Sequence, residues 1–195
     1  TDQGTDLYIN TRGVDPGAFN QYSSLDYENS VVKMYYVNCY GTINYANGFL
    51  SYTEGNDTYE RQRQEARFLR AYAYYCLSQQ FGGVPYVTTY ITSADRNYPR
   101  TELAELYNNV VEDLTDIYNN CKLPATDYTS GRPSKEAVAS LIAKFYLAWG
   151  WDIDTQIVDA EKGTYNTTST EHFTKAAQWA ETAIGGISLS QPFAT

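Results

Sequence analysis

Apolar residues recur at three- and four-residue steps in five stretches of this chain, separated by polar runs that close on glycine or proline. That period lines one face of an α-helix, so each stretch predicts a helix with a buried stripe. The first helix is expected over about residues 28–52, where Val32, Tyr36, Cys39, Ile43, Ala46 and Leu50 share a face, with Gly41 a local weak point. Gly55-Asn56-Asp57 reads as a turn. The second helix is expected over 58–81 with two adjacent stripes, one of Ala66, Leu69, Ala73 and Cys76 and one of Phe68, Tyr72 and Tyr75. Two stripes predict a helix packed on two sides, with Leu69 and Cys76 buried. Gly82-Gly83 offers the positive-φ stop, and Pro85 cannot continue a helix and biases Val84 to extended backbone. Residues 84–91 therefore read as an extended crossing segment.

The third helix is expected over about 102–120, capped by Thr101, with Leu103, Leu106, Val110, Leu114, Ile117 and Cys121 buried. The fourth starts at a Ser134 cap, carries Val138, Leu141, Ile142, Phe145, Tyr146 and Trp149, and ends at Gly150. So few of its residues are charged that it reads as buried nearly all round. After a long polar connection over 151–169, a fifth helix starts at Thr170 and turns Phe173, Ala176, Ala177, Ala180 and Ile184 inward, and Gly185-Gly186 stops it. With 1–27 loop-like and 28–186 a helical scaffold, the expectation is one all-α region of tetratricopeptide-like stacked helical hairpins with long loops. The chain begins without an initiator Met and trails off after the last helix, as a fragment or trimmed form of a longer protein would.

Composition narrows the function. With 14 Lys and Arg against 23 acids and a net charge of −9, the chain lacks the basic face that nucleic-acid phosphates or anionic lipid require. No apolar run is long enough to span a bilayer. Cys39, Cys76 and Cys121 form no C-x-x-C pair and His172 is the one histidine, so no Cys/His metal site can be assembled; buried free thiols are expected, and His172 reads as a surface residue. Asp152-x-Asp154-x-Gln156 starts like a calcium loop but has Ile157 where the glycine must follow. No carboxylate pair stands out for glycoside hydrolysis. Glu65, Arg67 and Arg70 read as a structural charge network rather than a catalytic acid with cationic helpers. No cofactor is called for. The 20 tyrosines are the outlier; each offers an apolar face and a hydroxyl, the same mixed character as a sugar.

Several segments, taken in order, resemble the SusD/RagB family of surface nutrient-binding lipoproteins. They are Tyr40-x-x-Ile43-x-x-Ala46-Asn47-x-x-Leu50, then Glu65-Ala66-Arg67-Phe68-Leu69-Arg70-Ala71-Tyr72, then Phe81-Gly82-Gly83-Val84-Pro85. Pro99-Arg100-Thr101, Glu112-Asp113-Leu114, Gly131-Arg132-Pro133-Ser134 and Ala143-Lys144-Phe145-Tyr146-Leu147 follow. The resemblance implies a non-enzymatic protein of the cell outer membrane that binds glycans or oligosaccharides and passes them to a SusC-like TonB-dependent transporter. It also implies a lipidated N-terminal cysteine as anchor, and a long C-terminal half; this chain contains neither.

Thr1-Asp2-Gln3 is similar to a turn of that family whose following loop can supply a sugar-stacking aromatic. Here that loop offers Tyr8 to stack, with Asn10 and Arg12 as planar hydrogen-bonding forks. Trp151, just past Gly150, is the other candidate contact, while Trp149 belongs to the core stripe. Two other classes stay open. A peptide-binding helical-repeat adaptor would show a concave groove lined with Asn and Lys, and an α-helical glycosidase would release reducing ends.

Overall fold

A computed structural model describes residues 25–93, 97–124, 131–151, 157–159, 164–165 and 170–185. Among them are five α-helices: α1 (Ser30–Tyr52), α2 (Glu60–Phe81), α3 (Leu103–Asn119), α4 (Lys135–Trp149) and α5 (Thr170–Ile184). A 3₁₀ turn, Asp57–Tyr59, leads into α2. The connection before α5, read from sequence as loop, contains a short antiparallel hairpin of β1 (Ile157–Asp159) and β2 (Thr164–Tyr165). The architecture is all-α apart from that hairpin.

The chain divides into two units, Thr1–Gly41 and Thr42–Thr195. In the first, Asn29 caps α1, its Oδ1 accepting from the Val31 and Val32 amides at 3.0 and 3.4 Å. Tyr36 and Tyr40, one turn apart, bring their rings to 4.8 Å.

In the second unit α2 packs on α3, α3 on α4 and α4 on α5, a run of antiparallel hairpins in which α2 also reaches α4. Leu106, Val110, Leu114 and Ile117 of α3 and Val138, Ile142 and Phe145 of α4 are buried, as their periodicity predicts. Phe145 is the hub: Tyr75 and Tyr107 meet its ring edge-on at 5.3 and 5.5 Å. Ser134 caps α4 by accepting from the Ala137 amide at 3.2 Å. Gly82 ends α2 at φ 68°, the positive-φ stop that Gly-Gly predicts. Arg100 then satisfies the freed carbonyls, donating to Phe81 O and Gly83 O, each at 2.7 Å.

Several expectations need correction, among them the inward face of α5, where Ala176 is buried but Ala177, Ala180 and Ile184 are exposed. The buried line of α2 is Ala66, Arg70, Ala73, Tyr74 and Leu77, not the one through Leu69 and Cys76; Leu69 is 48% exposed and Cys76 half-buried. Periodicity counts only apolar residues, and two polar side chains, Gln64 and Arg70, belong to the buried face, which keeps Ala66 and Ala73 but turns away from Leu69 and Cys76. Thr101 does not cap α3; its Oγ1 accepts from the Tyr86 amide at 3.2 Å and its amide donates to Val84 O. α4 does end at Gly150, as expected, though the glycine keeps helical angles and its role is space: a Cβ there would sit 2.7 Å from the Phe173 ring. The three cysteines are free, but half-buried rather than buried.

The extended segment 84–91 has no strand partner among the described residues, yet its backbone is paired. Asn47 Nδ2 donates to Val87 O and Thr89 O at 3.1 Å, and Asn44 takes both the amide and the carbonyl of Ile91. Tyr74 Oη accepts from the Val87 amide and donates to Val87 O. Such side-chain pairing meets the requirement that buried backbone groups be satisfied. Its keystone is Arg70, which donates to Asn47 Oδ1 at 2.8 Å and to Asp113 Oδ2 at 3.0 Å.

The two neighbouring residues 69 and 70 therefore separate in a mutational test. Arg70→Ala leaves Asn47 and Asp113 short of a buried donor and should destabilise the fold by about 3 kcal/mol. Leu69→Ala, on a half-exposed side chain, should cost less than about 1 kcal/mol. Urea unfolding of both variants checks the order; equal losses would mean that the α2 face is assigned wrongly.

Candidate functional site

Of the side chains singled out in the sequence, Tyr8, Asn10 and Arg12 lie outside the described residues. Trp151 is 62% exposed, one residue past Gly150, and meets the Phe173 ring edge-on at 5.6 Å. The end of α4 beneath it is an aromatic stack. His172 lies nearly parallel to Trp149 at 4.4 Å, and Tyr146 is nearly parallel to both rings. His172 is therefore a half-buried stacking partner and not the plain surface residue expected from sequence. Lys175 adds a cation 5.5 Å from the Tyr146 ring centre and pairs with Glu171.

The Glu65, Arg67 and Arg70 group is the structural network its sequence suggests. Arg67 bridges Asp113 and Asp116 of α3, and Glu65 joins Arg61 of its own helix to Arg132 of the loop before α4. Burial would lower the Arg67 pKa, but Asp113 and Asp116 outweigh it and raise it. The hydrogen bond from Arg67 holds Asp116 below the usual carboxylate range against a smaller opposing effect of burial. A carboxylate held ionised in this way is a poor proton donor near neutral pH. Among the described residues no group of three His, Cys, Asp or Glu side chains could hold a metal, and no helix is long and apolar enough to cross a membrane.

Sequence reasoning missed a ribbon of tyrosines on the outer face of α1. Tyr45 and Tyr52 are 82% and 81% exposed and seven residues apart, two turns along one face. Between them the ring of Tyr90 lies over Gly48, where a Cβ would approach ring carbons to 3.0 Å. Tyr52 and Tyr90 meet edge-on at 5.8 Å, and Phe49 and Tyr59 do so at 6.2 Å. The seven-residue spacing of Tyr45 and Tyr52, opposite buried Ile43, was the available signal. A second concavity, about 790 Å³, runs between α4 and α5 and is lined chiefly by Ala143, Leu147, Phe173, Ala176, Ala177 and Ala180. It contains no Asn and one Lys, whereas a smaller concavity of about 550 Å³ at the end of α3 is lined by Asn119, Asn120, Lys122 and Lys135, the residue types a peptide adaptor would show.

Comparison with known proteins agrees with this architecture. Residues 11–147 match the family model SusD-like_3, described as "Starch-binding associating with outer membrane". The SusD-like protein P2 of Formosa agariphila is 28% identical over 129 residues, which is 63% of this chain and 25% of that protein. A SusD-like carbohydrate-binding protein of Bacteroides fragilis superposes with a TM-score of 0.57 at 27% identity, over 65% of this chain and 26% of its own. A SusD superfamily protein of Parabacteroides distasonis shares the fold with a TM-score of 0.70 at 22% identity, over 88% of this chain and 35% of its own. The chain thus spans about a quarter of the length of the curated relative.

Burial of Tyr86 beside the charge network makes stability depend on alkaline pH. Burial, then the charge of Asp113, raises the Tyr86 hydroxyl above its ordinary 10.0, with Arg70 and Arg67 opposing. As pH rises past 10.0 the unfolded state loses this proton first. The stabilisation is thus complete below that pH and is lost as pH climbs through the higher folded value. Urea midpoints between pH 8 and pH 11.5 should fall less steeply for Tyr86→Phe than for the parent; parallel curves would count against the assignment.

Proposed function

The chain belongs to the SusD-like family, and from that premise we propose that it is part of a cell-surface glycan-binding protein that delivers oligosaccharides to a SusC-like TonB-dependent transporter of the outer membrane. The observation that carries the reading is the family match over 11–147, whose description joins starch binding to the outer membrane. Anchoring is through a lipidated N-terminal cysteine. The protein binds without cleaving and needs no metal or cofactor. The satisfied ion pairs around Asp113 support this reading, since they hold α2 to α3 rather than presenting an acid to a substrate.

The contact we assign to the N-terminal loop is Tyr8 stacked on the apolar face of a pyranose, with Asn10 and Arg12 hydrogen bonding to adjacent hydroxyls. Trp151 is a second contact. Its exposure and its seat against Phe173 support that role, because a ring already held in place loses little freedom on binding.

In calorimetry on the full-length protein with an oligosaccharide that it binds, Tyr8→Ala should weaken binding about tenfold, roughly 1.4 kcal/mol, with the melting temperature unchanged. Trp151→Ala should give a loss of about the same size, and the parent should release no reducing ends. Unchanged affinity in both variants would remove these residues from the site, and reducing-end release that a single Asp or Glu substitution abolishes would make the protein a glycosidase.

A further inference from the structure

We infer that the tyrosine ribbon of α1 is a second glycan contact, a ledge for a neutral pyranose chain on the helical scaffold itself, and this rests on the glycan-binding reading above. Three observations point to it. The first is exposure with support. Tyr45 and Tyr52 stand open to solvent, and Tyr90 between them lies on Gly48, where a Cβ would press its ring carbons to 3.0 Å.

The second is fixed position. The backbone on both sides of Tyr90 is clamped: Thr89 O accepts from Asn47, while Ile91 donates to Asn44 Oδ1 at 2.8 Å and accepts from Asn44 Nδ2 at 3.1 Å. The backbone that carries the ring is thus placed before any ligand arrives, and the ring rests against Tyr52 and Gly48, so binding bears less of the cost of ordering it.

The third is chemistry. From Thr42 to Thr53 there is no charged residue, in a chain of net charge −9. The exposed side chains there and over 88–90 are Tyr, Thr and Ser. Flat apolar faces edged by hydroxyls, with no charge to select an ion, match a neutral sugar, whose C–H faces are bordered by hydroxyl groups.

Native affinity electrophoresis of the full-length protein tests this, in gels containing amylopectin, laminarin, xyloglucan or arabinogalactan. The variants are Tyr45→Ala and the double Tyr52→Ala/Tyr90→Ala. Tyr45 is so exposed that its variant must fold, whatever the double variant does. In the gel that retards the parent, each should bind at least threefold more weakly. The loss should add to that of Tyr8→Ala, while the melting temperature of Tyr45→Ala stays at the parent value. If the parent is retarded and Tyr45→Ala and the double variant match it, the ledge is wrong and the glycan reading stands. If no gel retards the parent, both fall. Retained retardation with loss of co-purification of an outer-membrane transporter would make the ribbon a protein contact and overturn the inference.

Discussion

The fold of residues 42–124 depends on one buried polar junction. Arg70, 8% exposed, joins Asn47 of α1 to Asp113 of α3, and Asn47 passes the connection on to the backbone of 84–91. Burying a guanidinium is expensive unless its hydrogen-bonding groups are met, and a met network fixes one arrangement because any other leaves a donor or carbonyl unpaired. Gln64 makes a second such joint, donating to Asn120 O at 2.9 Å and accepting from the Lys122 amide at 2.8 Å, so the end of α3 is tied to the start of α2. These contacts choose the register that hydrophobic burial alone would leave loose.

The molecule thus uses two kinds of adhesive. α3, α4 and α5 hold together by apolar packing around Leu114, Ile142 and Phe145, with small residues such as Ala176 buried where α5 meets α4. Residues 42–52 of α1 are held to 84–91 and to α2 by asparagine and arginine side chains, including Arg63 donating to Leu50 O at 2.7 Å. Apolar packing tolerates small shifts, whereas a hydrogen bond to a fixed carbonyl does not. The polar side of the scaffold is therefore where a surface ring can be held most firmly, and Tyr90 sits there.

What was legible in the sequence follows from the same division. The helices were readable because Leu106, Val110, Leu114 and Ile117 repeat on one face, and because Ser134 and Gly82 carry local chemistry that ends or starts a helix. The α2 face was misread because a buried Arg and Gln look like surface residues when only apolar positions are counted. Thr101 was misread because the competing donor, the Tyr86 amide, is 15 residues away in sequence. The stack of His172 on Trp149 joins two helices across a long connection, and no local pattern encodes it. The exposure of Trp151 could be anticipated from its place after a helix end. The ribbon could not be read in full, since Tyr90 reaches Gly48 only through the folded path of 84–91.

The family segments that stand out in sequence prove to be joints rather than contacts. Arg67 and Arg70 tie α2 to α3, Arg100 closes the end of α2, Arg132 reaches Glu65, and Gly83 lets the chain pass so close to the Thr101 carbonyl that a Cβ would collide with it. Their charges are spent on protein partners and their positions are fixed by the scaffold. On the glycan-binding reading proposed above, recognition would fall to side chains that the scaffold supports but does not consume, such as the exposed aromatics. A single such ring gives a weak contact, but two held on one framework act at high effective concentration toward the same polymer. A polysaccharide repeats its sugar along its length, so it can use both rings at once where a monosaccharide cannot. Two exposed rings held on one scaffold are thus an arrangement suited to chains rather than to small sugars.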